Sequence, residues 1–349
     1  MTAPDAARPL VEVDDLRVRF VSREATVQAV NGVSFALMAG EVLSIIGESG
    51  SGKSVTMRAL IRLLPRRRAV ISGRMRVGAH DIMALSEREL TDIRGAQIAM
   101  IFQEPMTALD PVYTIGDQIA ETVMRHEGCS RRAAYQRALD LLQRVKVPSP
   151  ERRLKAYPHE LSGGLRQRAM IAVALSCRPA LLLADEPTTA LDATVQIQVL
   201  ILLRQLQKEF GTGMIFVTHD LGVAAQIADK VAVMYAGRIV EYGGARDVLL
   251  RPRHPYTIAM LASTVHGQMR DVDIEAIPGS PPDLRRLPPG CSFAPRCRYA
   301  VADCVAAVPP PVAVAPGHVA ACIKAGEIAQ TNPPAAGETP FGRPQAAIA

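Results

Sequence analysis

The chain has 349 residues, 48% of them hydrophobic and 21% charged, which is enough to bury a sizeable core in one large domain or two modest ones. A net charge of +6, aromatic residues at only 4% and the absence of Trp argue against a basic, aromatic-lined surface for nucleic acid. The start shows no signal-peptide pattern, and the longest apolar run, Ala169 to Cys177, is too short to span a bilayer. We therefore expect a cytosolic chain that reaches a membrane only through partners.

The first predicted elements are β-strands. Apolar and polar residues alternate between turn breaks over residues 10–41, which predicts an antiparallel β layer. The segment EVLSIIG then predicts a short buried strand, and SVTMRALIRLL predicts an amphipathic helix. Strand, loop and helix in this order are typical of a phosphate-binding site.

The loop between that strand and helix, GESGSGKS, fits the pattern G-x-x-x-x-G-K-[ST]. In this pattern the backbone amides of the loop and the helix N-terminus surround phosphates. Lys53 would neutralise the β and γ phosphates of ATP, and the Ser54 hydroxyl would bind Mg²⁺. The predicted nucleotide ligands are Gly47, Glu48, Ser49, Gly50, Ser51, Gly52, Lys53 and Ser54.

A second apolar segment ends in two carboxylates. Residues 180–184 run directly into Asp185 and Glu186, and Pro187 ends the segment. This pattern predicts a buried parallel strand whose carboxyl end faces a ligand crevice. We expect Asp185 to hold Mg²⁺, and Glu186 to orient and deprotonate the attacking water.

Between these two motifs, the segment LSGGLRQ, from Leu161 to Gln167, resembles the signature of the ATP-binding cassette (ABC) family. The resemblance implies an α/β, RecA-like P-loop NTPase cassette with an antiparallel β layer and a helical subdomain, here residues 104–160. It also implies that Ser162, Gly163 and Gly164 face the γ-phosphate bound to an opposing subunit, so that two cassettes enclose two ATP molecules. The sequence contains no repeat of 20–50 residues, so the second cassette must be another chain.

Four further residues match positions of the ABC family. Gln103 resembles the glutamine that touches Mg²⁺ and water beside the membrane subunit, and Asp192 resembles the aspartate that links the two active sites across the dimer. His219, which follows the strand-like segment MIFVT, resembles the histidine that contacts the γ-phosphate and supports water attack. Phe20 resembles the aromatic residue that stacks on adenine, although a Phe at the end of an alternating strand also packs in cores.

Residues 251–325 follow this nucleotide-binding domain of residues 1–250. Their segments RPRHPYT, IPGSPPDL and PPGCSFAPRCRYAVADC resemble the C-terminal region of oligopeptide and dipeptide importers. The resemblance implies an ATPase subunit that drives peptide uptake at the cytoplasmic face of the inner membrane. Residues 326–349, rich in Pro, Ala and Gly, predict a disordered tail.

The importer resemblance also implies partners. They are a second ATPase subunit, expected to be a distinct homologue, two transmembrane permease subunits and an extracytoplasmic substrate-binding protein, without nucleic acid. Relatives of these importers also move nickel or glutathione, so another cargo is an alternative. Soluble ABC ATPases that act on nucleic acid are a second alternative, but they typically fuse two cassettes or insert a coiled coil, and neither occurs in this sequence.

Four of the six cysteines lie in this extension. Their spacing does not match zinc-knuckle motifs, so spacing alone leaves both a metal site and scattered buried thiols open. The family resemblance implies a [4Fe–4S] cluster, for which four thiolates is the right ligand count, and zinc is an alternative. We expect such a site to hold together a segment poor in apolar residues. The four residues are Cys291, Cys297, Cys304 and Cys322.

Overall fold

The structure, a computed structural model, describes residues 8–189, 191–263 and 277–331. Within these residues the strands form two sheets. The strands are β1 (Val11–Val21), β2 (Thr26–Leu37), β3 (Val42–Ile46), β4 (Ala69–Val77), β5 (His80–Asp81), β6 (Ile98–Ile101), β7 (Leu181–Asp185), β8 (Gly213–Thr218), β9 (Lys230–Tyr235), β10 (Arg238–Gly244), β11 (Val312–Ala315) and β12 (His318–Ala320).

The smaller sheet is antiparallel, in the order β2-β1-β4-β5. It confirms the antiparallel layer that the alternating pattern of residues 10–41 predicts, and it adds β4 and β5, which that pattern does not reach. β1 is a long strand with alternating burial, as expected when one face of a sheet packs on a core. Phe20, near its end, is half-buried and packs against that core.

The larger sheet has the order β11-β12-β10-β9-β3-β8-β7-β6. Its strands from β9 to β6 are parallel, and every residue of β3 and β7 is buried. Uninterrupted apolar strands of this kind belong in the centre of a parallel sheet, because layers cover both of its faces. The parallel arrangement brings the carboxyl ends of β3, β6, β7 and β8 to one edge.

The helices surround the large sheet. They are α1 (Lys53–Leu60), α2 (Glu87–Ile93), α3 (Pro105–Ala108), α4 (Ile115–Glu127), α5 (Arg131–Arg144), α6 (Pro150–Arg153), α7 (Gly163–Ala174), α8 (Ala193–Phe210), α9 (Leu221–Ile227), α10 (Ala245–Leu250), α11 (Pro255–Ala262), α12 (Ala302–Ala306) and α13 (Ala325–Thr331).

Helices α3 to α6 fill the segment that the sequence predicts to be helical. Thr114 and Ser130 cap the starts of α4 and α5 with their side chains, and Gly128 ends α4 in the left-handed conformation that glycine favours. α4, α5 and α7 share one hydrophobic core with the sheet, which includes Ile115, Leu142 and Ile171. The helical segment is therefore packed directly on the parallel sheet.

The C-terminal extension is joined to the large sheet. β12 pairs with β10, which places Ala320 opposite Glu241, and β11 adds a further strand at that edge. Three rings pack together where the extension meets β9. The ring centroids are 4.6 Å apart for Tyr235 and Tyr256 and 5.3 Å apart for Tyr235 and Phe293. The extension thus shares both backbone pairing and a core with the nucleotide-binding domain.

The start of the predicted tail differs from expectation. Residues 326–331 belong to α13, in which Ala325 and Ile328 are buried, so their apolar side chains keep this helix on the extension. The rest of the predicted tail, residues 332–349, lies outside the described residues. Among the helices of the described ranges, none has the length and apolar character needed to cross a bilayer.

Candidate active site

The phosphate-binding loop follows β3 and ends where α1 begins. Gly47 and Gly52 have φ values of 149° and 102°. A Cβ atom on Gly47 would lie 2.1 Å from the carbonyl oxygen of Met234, and one on Gly52 would lie 2.3 Å from that of Ala29. Glycine is therefore required at both positions, because a side chain at either one would clash with a carbonyl oxygen. The loop thus places its backbone N–H groups next to the start of α1, as a phosphate site requires.

Two polar side chains of the loop fit an anionic ligand. The Lys53 ammonium is buried and donates to the carbonyl oxygens of Gly47 at 2.7 Å and Glu48 at 2.9 Å, which holds it across the loop. Burial lowers the pKa of Lys53, and nearby carboxylates oppose this shift. The buried Ser51 hydroxyl has no hydrogen-bond partner among the residues that the structure describes. A buried donor of this kind fits phosphate oxygens, because leaving it unpaired costs free energy.

Asp185 lies at the end of β7, next to the start of α1. The Ser54 hydroxyl donates to its Oδ1 at 2.7 Å, so the structure brings together two of the three residues predicted to touch Mg²⁺. The third, Gln103, lies beside Glu186. Burial raises the pKa of Asp185, and the Ser54 hydrogen bond opposes that shift. A carboxylate and a hydroxyl are oxygen ligands of the kind that Mg²⁺ prefers, so these residues fit the ion.

Glu186 follows Asp185 with a φ of 46°, in the left-handed region that non-glycine residues rarely adopt. Such backbone strain costs about 1–3 kcal/mol and is concentrated at functional sites. The Glu186 side chain is only 14% exposed. Its Oε2 lies 3.2 Å from Nδ1 of His219 and 3.5 Å from Nε2 of Gln103. The three predicted catalytic residues therefore lie together at the ends of β6, β7 and β8.

Two residues of this site are not predicted from the sequence. Arg58 lies 3.5 Å from Asp185, and the Thr189 hydroxyl donates to Oε2 of Glu186 at 2.9 Å. Arg58 is four positions after Ser54 on α1, a spacing that places both on one helix face and could have revealed it. Thr189 follows Glu186 within one tight turn, in the short-range pattern by which hydroxyls bond nearby groups.

The signature residues lie apart from these hydrogen bonds. Ser162 precedes α7, is exposed and makes no capping hydrogen bond with its side chain, while Gly163 opens the helix. Gly164 is partly buried against Val195. Asp192 caps α8, its side chain accepting from the Val195 N–H at 3.0 Å. The start of α7 at Ser162 and Gly163 and the start of α8 at Asp192 are thus exposed.

The four cysteines of the extension line one cavity together with His254. Burial raises the pKa of Cys291 and Cys297, and that of Cys322 to about 11, while backbone N–H groups near each sulfur oppose these shifts. Over the residues that the structure describes, however, no three His, Cys, Asp or Glu side chains are arranged to hold a single metal ion. The four thiols thus lie around one cavity, and a metal bound there stays a prediction.

Two family profiles match the chain. The ABC transporter profile matches residues 30–189, and the profile for the C-terminal region of oligopeptide/dipeptide transporters matches residues 240–304. The oligopeptide transport ATP-binding protein OppD of Salmonella typhimurium is 51% identical over 92% of this chain and 96% of that protein. The chain belongs to the ATP-binding proteins of the oligopeptide/dipeptide ABC transporters.

A further relative and a solved structure support the same family assignment. The dipeptide transport ATP-binding protein DppD of Bacillus subtilis is 47% identical over 90% of this chain and 94% of that protein. A solved dimeric ATP-binding cassette in a post-hydrolysis state, bound to ADP and phosphate, has a TM-score of 0.61 and 29% identity, covering 68% of this chain and 99% of that cassette. The predicted family, the cassette fold and ATP hydrolysis are thereby confirmed.

Proposed function

We propose that this ABC ATPase drives the uptake of di- or oligopeptides through a membrane complex. The observation that carries the proposal is the similarity to peptide transport ATP-binding proteins, which extends over at least 90% of this chain. The extension itself matches the C-terminal region of oligopeptide/dipeptide transporters. The cargo is bound by other subunits in such a complex, so the residues of this chain supply the energy and not the specificity.

The phosphate loop binds the nucleotide. Lys53 neutralises the β and γ phosphates, and the amides at the start of α1 donate to their oxygens. Ser54 and Asp185 would hold Mg²⁺, which would supply positive charge to the phosphate oxygens. The hydrogen bond between these two side chains keeps them in position for that ion.

Glu186 acts as the general base. It is oriented by Thr189, Gln103 and His219, all directed at Oε2, so that the carboxylate is held before water arrives. Glu186 accepts the proton of the attacking water. His219, 3.2 Å from Glu186, is proposed to contact the γ-phosphate and to stabilise the charge that develops on its oxygens. Gln103 contacts Glu186 from the end of β6, where the helical segment begins.

The exposed signature residues are proposed to bind a second cassette. Ser162, Gly163 and Gly164 would contact the nucleotide of a second cassette, and Asp192 would lie between the two sites. We propose a distinct homologue as this partner, together with two permease subunits and an extracytoplasmic substrate-binding protein. The chain is then a peripheral subunit at the cytoplasmic face of the membrane. Phe20 is proposed to contact adenine with its exposed part.

The cysteine cavity is proposed to hold a [4Fe–4S] cluster. Four thiols converge there, although no three donors in the described ranges suit a single ion. Four thiolates is the ligand count of such a cluster, and zinc is the alternative. Its proposed role is to hold the extension together.

ATP turnover by the purified protein tests the base. We expect Glu186→Gln to retain ATP binding and to lose turnover by about 100-fold or more, because a positioned general base contributes at least that much. Glu121→Gln, an exposed change on α4, is the control and should match the wild type. Substantial turnover in Glu186→Gln would remove Glu186 from this role.

A further inference from the structure

The C-terminal extension contacts the phosphate loop at Glu48. The Glu48 N–H donates to the Tyr256 hydroxyl at 2.8 Å, and its carboxylate accepts from the Arg296 guanidinium at 3.0 Å. One bond thus holds the backbone of the loop, and the other holds its charged side chain. Both partners come from a region more than 200 residues away in the sequence.

Tyr256 and Arg296 are themselves held in place. Tyr256 is fully buried against the rings of Tyr235 and Phe293, and burial raises the pKa of its hydroxyl. The Arg296 side chain is only 6% exposed. It donates to the carbonyl oxygen of Pro278 at 2.8 Å and to the Tyr235 hydroxyl at 3.2 Å. The two contacts to Glu48 are therefore made by preorganised groups.

The charge of Glu48 is unfavourable for the function of the loop. A carboxylate on the phosphate-binding loop repels the anionic nucleotide, and this repulsion is stronger in a site partly shielded from water than in bulk water. The Glu48 side chain is 26% exposed, so water screens its charge only in part. A guanidinium at hydrogen-bond distance offsets that charge, and arginine stays ionised at every pH of interest.

We propose that Arg296 neutralises the Glu48 carboxylate and thereby raises the affinity of the phosphate loop for nucleotide. Arg296 is a positioning residue in this account, since it acts through Glu48 and does not touch the phosphates. The inference rests on nucleotide binding at this loop, as proposed above. It gives the extension a role in ATP binding besides any role in stability.

Titration with a fluorescent ATP analogue and Mg²⁺ tests this proposal on the full chain. We expect Arg296→Gln to raise the Kd about five- to tenfold, because the phosphate-binding loop then carries an uncompensated carboxylate. The KM for ATP should rise similarly while kcat changes less than about twofold, and added salt should reduce the difference. Arg285→Gln removes an exposed arginine of the same extension and should bind like the wild type.

The double variant Glu48→Gln/Arg296→Gln separates charge from folding. It should recover most of the affinity that Arg296→Gln loses, because the repelling carboxylate is gone while Tyr256 still holds the loop backbone. If Arg296→Gln fails to fold, Glu48→Gln alone decides, since it keeps an acceptor for Arg296 and should bind at least as tightly as the wild type. Double-variant binding as weak as that of Arg296→Gln, or weaker binding by Glu48→Gln alone, would overturn the proposal. A wild type that binds no nucleotide would instead refute the function of the loop itself.

Discussion

The nucleotide site and the C-terminal extension share one sheet but position their functional residues differently. In the nucleotide site, Ser54, Asp185 and His219 lie at or just beyond the ends of parallel strands or the start of the following helix, so the backbone itself brings them together. In the extension, short strands and turns are held by long-range side-chain contacts such as that of Arg296. The first arrangement depends on the sheet, and the second depends on individual buried side chains. Single substitutions should therefore disturb the extension without removing the sheet.

The strongest test of this difference is Glu241, at the junction of the two regions. Its carboxylate accepts from the N–H groups of Arg253 at 2.6 Å and His254 at 3.0 Å, and it lies 2.7 Å from Nε2 of His318 on β12. Glu241 and His318 are both buried. We expect Glu241→Ala to lower the free energy of unfolding by about 3–5 kcal/mol, because it leaves several buried polar groups unpaired.

Denaturant unfolding monitored by circular dichroism measures this effect. Glu24→Ala, an exposed change between β1 and β2, is the matched control and should stay within about 0.5 kcal/mol of the wild type. A loss of less than about 1 kcal/mol in Glu241→Ala would mean that the extension does not depend on this contact.

A smaller and more local effect is expected at the cysteines. Cys297→Ser should lower the iron content of the anaerobically purified protein and increase proteolysis within the extension, while ATP binding changes about fivefold or less. Cys129→Ser is the control, because Cys129 lies on the helical segment away from the cavity. The proposed cluster would be rejected by full iron content in Cys297→Ser. It would also be rejected by a wild type that contains zinc and no iron.

The sequence predicts the nucleotide site better than the extension, for a physical reason. The strand before Gly47 and the strand before Asp185 are continuous apolar runs, and parallel strands place their carboxyl ends together, so the contact between Ser54 and Asp185 follows from local patterns. Arg58 is detectable by its helical spacing from Ser54. The contact of Arg296 with Glu48 joins residues 248 positions apart and leaves no periodic signal.

The same limit explains the other differences in the extension. β12 covers only three residues, His318–Ala320, too few for an alternating pattern to predict its pairing with β10. Helix α13 lies at the start of a segment rich in Pro, Ala and Gly, and its burial through Ile328 depends on tertiary contacts that composition does not show. Short elements stabilised by long-range packing are the part that sequence patterns predict least.

Peptide uptake by cells tests the central claim most directly. Cells that lack this chain would be complemented with the wild type or with Glu186→Gln, and the uptake of labelled di- and oligopeptides would be compared with that of nickel. We predict that the wild type restores peptide uptake and that Glu186→Gln does not. Unchanged peptide uptake in the deletion, with loss of nickel or another cargo, would contradict the claim that this ATPase drives peptide import.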